Sequence, residues 1–146
     1  MIPELVAIPE TFVSFRIIEE NLDPDEITKK LALIPDDIHR KGERRRKPTA
    51  APYRKGTWVL RSPLSKEKDL ESQLEGLLRI LEPRSSLLQD LSSHVEIDFY
   101  ATIYNINGFQ LSTQIINRIA KLGAGLGVTI YPGYDKVVEQ KRSSLG

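Results

Sequence analysis

The chain of 146 residues has no cysteine, one methionine, one tryptophan, two histidines and a formal net charge of only +1. Without cysteine there can be no disulfide, thiolate metal ligand or cysteine nucleophile, a composition compatible with a reducing compartment. His39 and His94 are the only imidazoles, so no metal-ligand spacing exists; neither a metal nor a cofactor is expected. No apolar run approaches the roughly 18–20 residues of a membrane span. The start, Met1-Ile2-Pro3-Glu4, lacks the basic and apolar regions of a signal peptide. These absences lead us to expect a cytoplasmic protein without membrane contact. A net charge near zero gives no global pull towards nucleic acid or acidic lipid. The length suits one domain that buries roughly 68–70% of its unfolded surface, not a two-domain enzyme with a cleft between halves.

The neutrality is a cancellation. Residues 39–55 carry eight basic side chains (Arg40, Lys41, Arg44, Arg45, Arg46, Lys47, Arg54 and Lys55) against one acid, Glu43. Of 21 basic and 20 acidic residues in all, 13 and 19 remain for the rest of the chain, which is therefore acidic. Pro48, Pro52 and the scarcity of apolar residues make 39–55 a long basic loop.

Around it the pattern alternates between the two hydrophobic periods. After an N-terminal arm over 1–10, Thr11 to Ile18 predicts a strand with Val13, Phe15 and Ile17 on one face. Asp23, Pro24 and Glu26 form a helix start, Ile27 and Leu31 its stripe, and Pro35 its stop. Thr57 to Arg61 is a short strand. Leu70, Leu74, Leu77, Leu78 and Leu81 line one helix face, Pro83 breaks it, and Leu87, Leu88 and Leu91 resume it. Val95, Ile97, Phe99, Ala101 and Ile103 alternate with Glu96, Asp98, Tyr100, Thr102 and Tyr104, the clearest strand. Ser112 caps a helix bearing Ile115, Ile116, Ile119 and Leu122, which closes at Gly123. Leu126 to Tyr131 is the last strand, followed by a polar tail over 132–146.

Strands buried on both faces would be apolar throughout, whereas 95–104 alternates. The expected fold is therefore α+β, a two-layer sandwich of a four-stranded, largely antiparallel sheet with three helices on one face, ferredoxin-like or related, in the order β-α-β-α-β-α-β. The single globular domain spans 11–131. Its bare face would carry Ser14, Arg16, Glu96, Asp98, Tyr100, Thr102, Tyr104, Thr129 and Tyr131.

Val13-Ser14-Phe15-Arg16-Ile17 and Asn21-Leu22-Asp23-Pro24-Asp25-Glu26-Ile27-Thr28 resemble the opening of a bacterial family, the domain of unknown function 4279. His39-Arg40-Lys41-Gly42 followed by Gly56-Thr57-Trp58 is similar to its second signature, and Gly108-Phe109-Gln110-Leu111-Ser112 to its last. The resemblance covers 11–131 and implies a small bacterial α+β domain. It implies no activity and transfers no catalytic residue.

Three functional readings compete. Tyr100 and Tyr104, with Arg16, Asp98 and Thr102, would give an open strand face the residue types enriched at binding hot spots. We expect a non-enzymatic domain that binds a protein partner through this face and the adjoining loop, for example an immunity-type protein masking a toxin. A second copy of the chain is left open as a partner. The alternative is nucleic-acid binding, with Arg44, Arg45 and Arg46 neutralising phosphates, Tyr53 and Trp58 stacking on bases, and His39 orienting an anion. Against it, the ribonucleoprotein pattern is absent from 94–105, and Glu96 and Asp98 would repel a phosphate backbone. The third is an enzyme using Glu96 and Asp98, which emerge roughly 6.5–7 Å apart on one strand face. An ion pair of one of them with Arg16 is the plainer expectation. Gly123-Ala124-Gly125-Leu126-Gly127 follows a helix rather than opening one, the wrong context for a phosphate loop.

Overall fold

The computed structural model describes residues 8–44 and 51–133. Most of the expected N-terminal arm, Arg45, Arg46 and Lys47 of the basic loop, and residues 134–146 of the expected tail lie outside them.

The sheet is built around β1 (Glu10–Glu19), where Val13, Phe15 and Ile17 are buried and the intervening side chains are not. β3 (Gly56–Arg61) and β4 (Glu96–Tyr104) flank it, both antiparallel to it. Phe15 sits at the centre of the core, 5.2 Å from Phe99 and 6.4 Å from Trp58 between ring centroids. β2 (Asp37–His39) adds antiparallel to β3, and β5 (Gly125–Tyr131) adds parallel to β4, so the order is β2-β3-β1-β4-β5.

The helices cover one face of this sheet. α1 (Pro24–Leu31) begins where Asp23 Oδ1 accepts from the Asp25 N–H at 3.2 Å, with Pro24 in its first turn. It ends at Ala32, whose left-handed φ of 53° returns its N–H to the Thr28 carbonyl, three residues before Pro35. α2 (Leu70–Leu81) starts at Asp69, which accepts from the Ser72 N–H at 2.8 Å, and buries the whole predicted leucine stripe. Gln73 lies in that stripe and is buried as well. Its amide donates to the carbonyls of Thr11 (2.6 Å), Lys68 (3.0 Å) and Ser65 (3.3 Å), tying α2 to the start of β1 and the loop before α2. A 3-10 turn at Glu82–Arg84 holds Pro83 and leads to α3 (Ser85–Ser92), as the sequence predicts. Arg84 fastens the break by donating to the carbonyls of Leu31 (2.5 Å) and Ile80 (2.8 Å). α4 (Thr113–Lys121) is capped by Ser112 and buries Ile115 and Ile119, with Leu122 behind them, while Ile116 faces out.

The α+β class is confirmed, with the helices in three segments of which the second is broken into α2 and α3. Neither the four-strand count nor the ferredoxin-like arrangement is. The sheet is five-stranded and mixed. The fifth strand, Asp37–His39, has too few residues to show a period of two and lies against the basic loop. The parallel pair follows from α4: a helix between neighbouring strands crosses back over the sheet and re-enters in the same direction.

Candidate functional site: the open face of the sheet

Strand pairing brings the outward side chains into rows. Arg16 lies between Val59 and Asp98, Ser14 between Arg61 and Tyr100, and Phe12 opposite Thr102; across the β4–β5 seam Tyr100 faces Gly127, Thr102 faces Thr129 and Tyr104 faces Tyr131. The two halves of this face differ in chemistry.

The first half is polar and internally satisfied. Arg16 donates through Nε to Asp98 Oδ1 at 2.8 Å and through Nη2 to Asp98 Oδ2 at 2.6 Å, a two-pronged pair between neighbouring strands. The Arg16 guanidinium also lies 4.5 Å from the centroid of the Tyr100 ring. The Asp98 hydrogen bonds raise the pKa of Arg16 despite partial burial, so the cation is locked in. The Tyr100 ring lies over Gly127, where an added Cβ would come within 3.1 Å of Cδ2. Its hydroxyl hydrogen-bonds the Thr129 hydroxyl. Tyr100 is thus half-buried and partnered, not a ring standing in water.

The second half is aromatic. Tyr104 and Tyr131 stack with centroids 5.0 Å apart and planes 9° from parallel, and Phe12 meets Tyr104 edge-on at 6.0 Å. Phe12 is 46% exposed, Tyr104 37% and Tyr131 52%, so the three rings form one apolar platform open to solvent. Phe12 and Tyr131 belong to the site although neither was expected to carry binding. The signal is the same alternation that places Arg16 and Tyr100: residues 12, 104 and 131 share that face by parity.

The rest of the expected site disperses. Trp58 is corrected outright: its side chain is fully buried beneath α1, with Nε1 donating to Thr28 Oγ1 at 3.0 Å, so it offers no surface for a base. The cause is parity, since Thr57 and Val59 face out and Trp58 must face in. His39 lies at the β2 edge, stacked on Tyr53 at 3.9 Å and within 3.1 Å of Asp37 Oδ2. Arg40 pairs with Asp25 (2.6 Å) and Asp23 (3.2 Å), and Lys41 with Glu20. The start of the basic loop is thereby bound to acids around α1. Arg44 is exposed. Glu96 is exposed at the start of β4, and both Asp98 oxygens are engaged by Arg16.

Among the described residues no three His, Cys, Asp or Glu groups converge as a metal site, and no helix is long and apolar enough to cross a membrane. Away from the sheet face, Arg118 bridges Glu82 (2.9 and 2.6 Å) and Glu75 across the α2–α4 contact. Hydrogen bonding to Arg118 holds both carboxyls below their ordinary range.

These features define a class, an α+β domain with helices on one side of a mixed sheet and a polar–aromatic surface on the other. The family model described as a domain of unknown function (DUF4279) matches residues 9–133, and the chain belongs to that family. No curated protein and no solved structure is significantly similar to the chain. Of the stretches whose sequence resembles the family, 21–28, 39–42 and 56–58 meet at one corner. Gly56 runs so close to Leu22 that a Cβ would sit 2.7 Å from that residue's own Cβ. Trp58 bonds Thr28, and Arg40 reaches Asp23 and Asp25. That corner serves packing, and the open face is a separate region.

Proposed function

We propose that this domain is a non-enzymatic module that docks a protein partner on the open face of its sheet. The observation that carries this reading is the platform of Phe12, Tyr104 and Tyr131, in which the Tyr104 ring contacts the other two and each is more than a third exposed. Aromatic side chains provide large contact area at low entropic cost, and rings already braced against each other lose still less freedom on binding. The neighbouring Arg16–Asp98 pair and Tyr100 give the platform a polar border that fixes orientation without leaving an unpaired charge. The partner is therefore a protein presenting an apolar anchor with polar groups beside it. A toxin masked by an immunity-type protein is one such partner.

The nucleic-acid reading loses Trp58, which belongs to the core, and two further cations of the basic loop, Arg40 and Lys41, are already paired with acids. The test is affinity capture from host lysate at low and high salt, comparing the native chain with Tyr104→Ala/Tyr131→Ala. The expected outcome is a protein retained by the native chain and lost by the double variant, whose melting temperature stays within a few degrees of native. Identical retention by both chains overturns the proposal. Retention of nucleic acid that disappears with salt and with Arg44→Ala/Arg45→Ala/Arg46→Ala establishes the alternative instead.

A further inference from the structure

β5 forms one edge of the sheet, and among the described residues nothing pairs with its outer side. Natural edge strands are blunted by short length, charged side chains, proline or bulges. The opposite edge, β2, follows that rule with three residues that include Asp37 and His39. β5 does not: Gly-Leu-Gly-Val-Thr-Ile-Tyr is seven residues long, uncharged and free of proline, and pairs in unbroken register with β4.

The direction of its backbone groups is determined. The Asn105 N–H donates to the Tyr131 carbonyl at 2.8 Å, so Tyr131 points its polar groups inward. Alternate residues of a strand point to opposite edges. Gly125, Gly127, Thr129 and Tyr131 are therefore spent on β4, and Leu126, Val128 and Ile130 present their N–H and C=O groups outward.

We infer that a second copy of this chain pairs here, β5 against β5 in antiparallel register about a two-fold axis at Val128. This register sets Val128 opposite Val128, Leu126 opposite Ile130, Gly127 opposite Thr129 and Gly125 opposite Tyr131. All three outward residues of each strand then fall in hydrogen-bonded pairs, which gives about six main-chain hydrogen bonds across the axis. Every pair matches by face, so the two sheets become one without exposing a core side. No charge meets a like charge. Gly125 has open space where a side chain would stand, its virtual Cβ being 4.0 Å from the nearest atom, Asp98 Cβ, so nothing there obstructs the opposing Tyr131. Leu126, 37% exposed, supplies apolar contact on the helical side. The interface is isologous, the commonest form of closed assembly.

The test uses the full chain at about 100 micromolar, by sedimentation and by amide hydrogen exchange. The expected mass is twice the 16.6 kDa of the chain, with the Leu126, Val128 and Ile130 amides protected like those of Gly127 and Thr129. Val128→Pro removes an outward donor that β4 does not use, and Leu126→Lys introduces the missing edge charge. Each is expected to return the chain to monomer with the remaining outward amides exchanging at least tenfold faster and the β4 amides still protected. A monomeric native chain overturns the inference, as does a dimer that survives both variants. Protection of the three amides in a monomer overturns it too, by showing that the edge is covered from within the same chain. None of these variants replaces Phe12, Tyr104 or Tyr131, so failure of the pairing and failure of partner docking are read separately.

Discussion

The two faces of one sheet carry the same number of strands and nearly opposite chemistry. The covered face places Val13, Phe15, Ile17, Trp58, Leu60, Ile97, Phe99, Ala101 and Ile103 under the helices, each at most 9% exposed. The open face, one residue out of step, holds an ion pair, a partnered tyrosine and a platform of three rings. Hydrophobic stabilisation is concentrated on the first face, and the second is the surface proposed for docking. The pleat makes the separation sharp, since moving one residue along a strand exchanges one face for the other.

Substitutions separate the two faces by size of effect. Phe99→Ala on the covered face opens a cavity against Phe15 and is expected to cost about 3–5 kcal/mol in urea denaturation. A loss below about 1 kcal/mol would mean that the core is not packed around Phe15. On the open face Asp98→Ala leaves the half-buried Arg16 guanidinium without its acceptor, and the expected loss is about 1–3 kcal/mol by the same measurement. Recovery in Arg16→Met/Asp98→Ala would confirm that the cost is the orphaned charge.

A smaller effect concerns pH. Arg118 holds Glu75 and Glu82 below the ordinary value of 4.5 in the folded state. The stability this contributes is fully present above about pH 4.5 and is lost as pH falls through the lowered folded values. Arg118→Ala should flatten the acid limb of the stability profile, measured as melting temperature between pH 6 and pH 3; an unchanged limb would place the acid sensitivity elsewhere. The smallest effect belongs to the platform. Tyr104→Ala is expected to change stability by about 0.5 kcal/mol or less, because the ring is supported by Tyr131 and Phe12 but not enclosed. A loss comparable to that of Phe99→Ala would make the platform structural and remove its role in docking.

Much of this was legible in local pattern. The leucine stripe of α2, the break at Pro83, the caps at Asp23 and Ser112 and the alternation of β4 all appear in the structure where the sequence predicts them. The Arg16–Asp98 pair was legible too, since each lies on the polar parity of its strand and only the register had to bring them together. Three features were not. β2 is too short to carry a period, and it forms because β3 offers it an edge. The stop of α1 at Ala32 comes from a left-handed residue that no local signal marks, whereas Pro35 stands beyond it. Trp58, expected to stack on bases beside the basic loop, is drawn inside by the parity of β3 and the hydroxyl of Thr28.

Local periodicity and capping chemistry therefore determine the segments of this chain and which side chains of each segment share a face, because those depend only on backbone geometry repeated every two or 3.6 residues. Tertiary structure alone decides which strands become neighbours, that β5 runs parallel to β4, and that Phe12, Tyr104 and Tyr131, separated by up to 119 positions in the sequence, meet as one platform. The physical reason is that strand neighbours are selected by burying the helices against a common face, a cooperative term to which no single segment contributes enough to reveal its place.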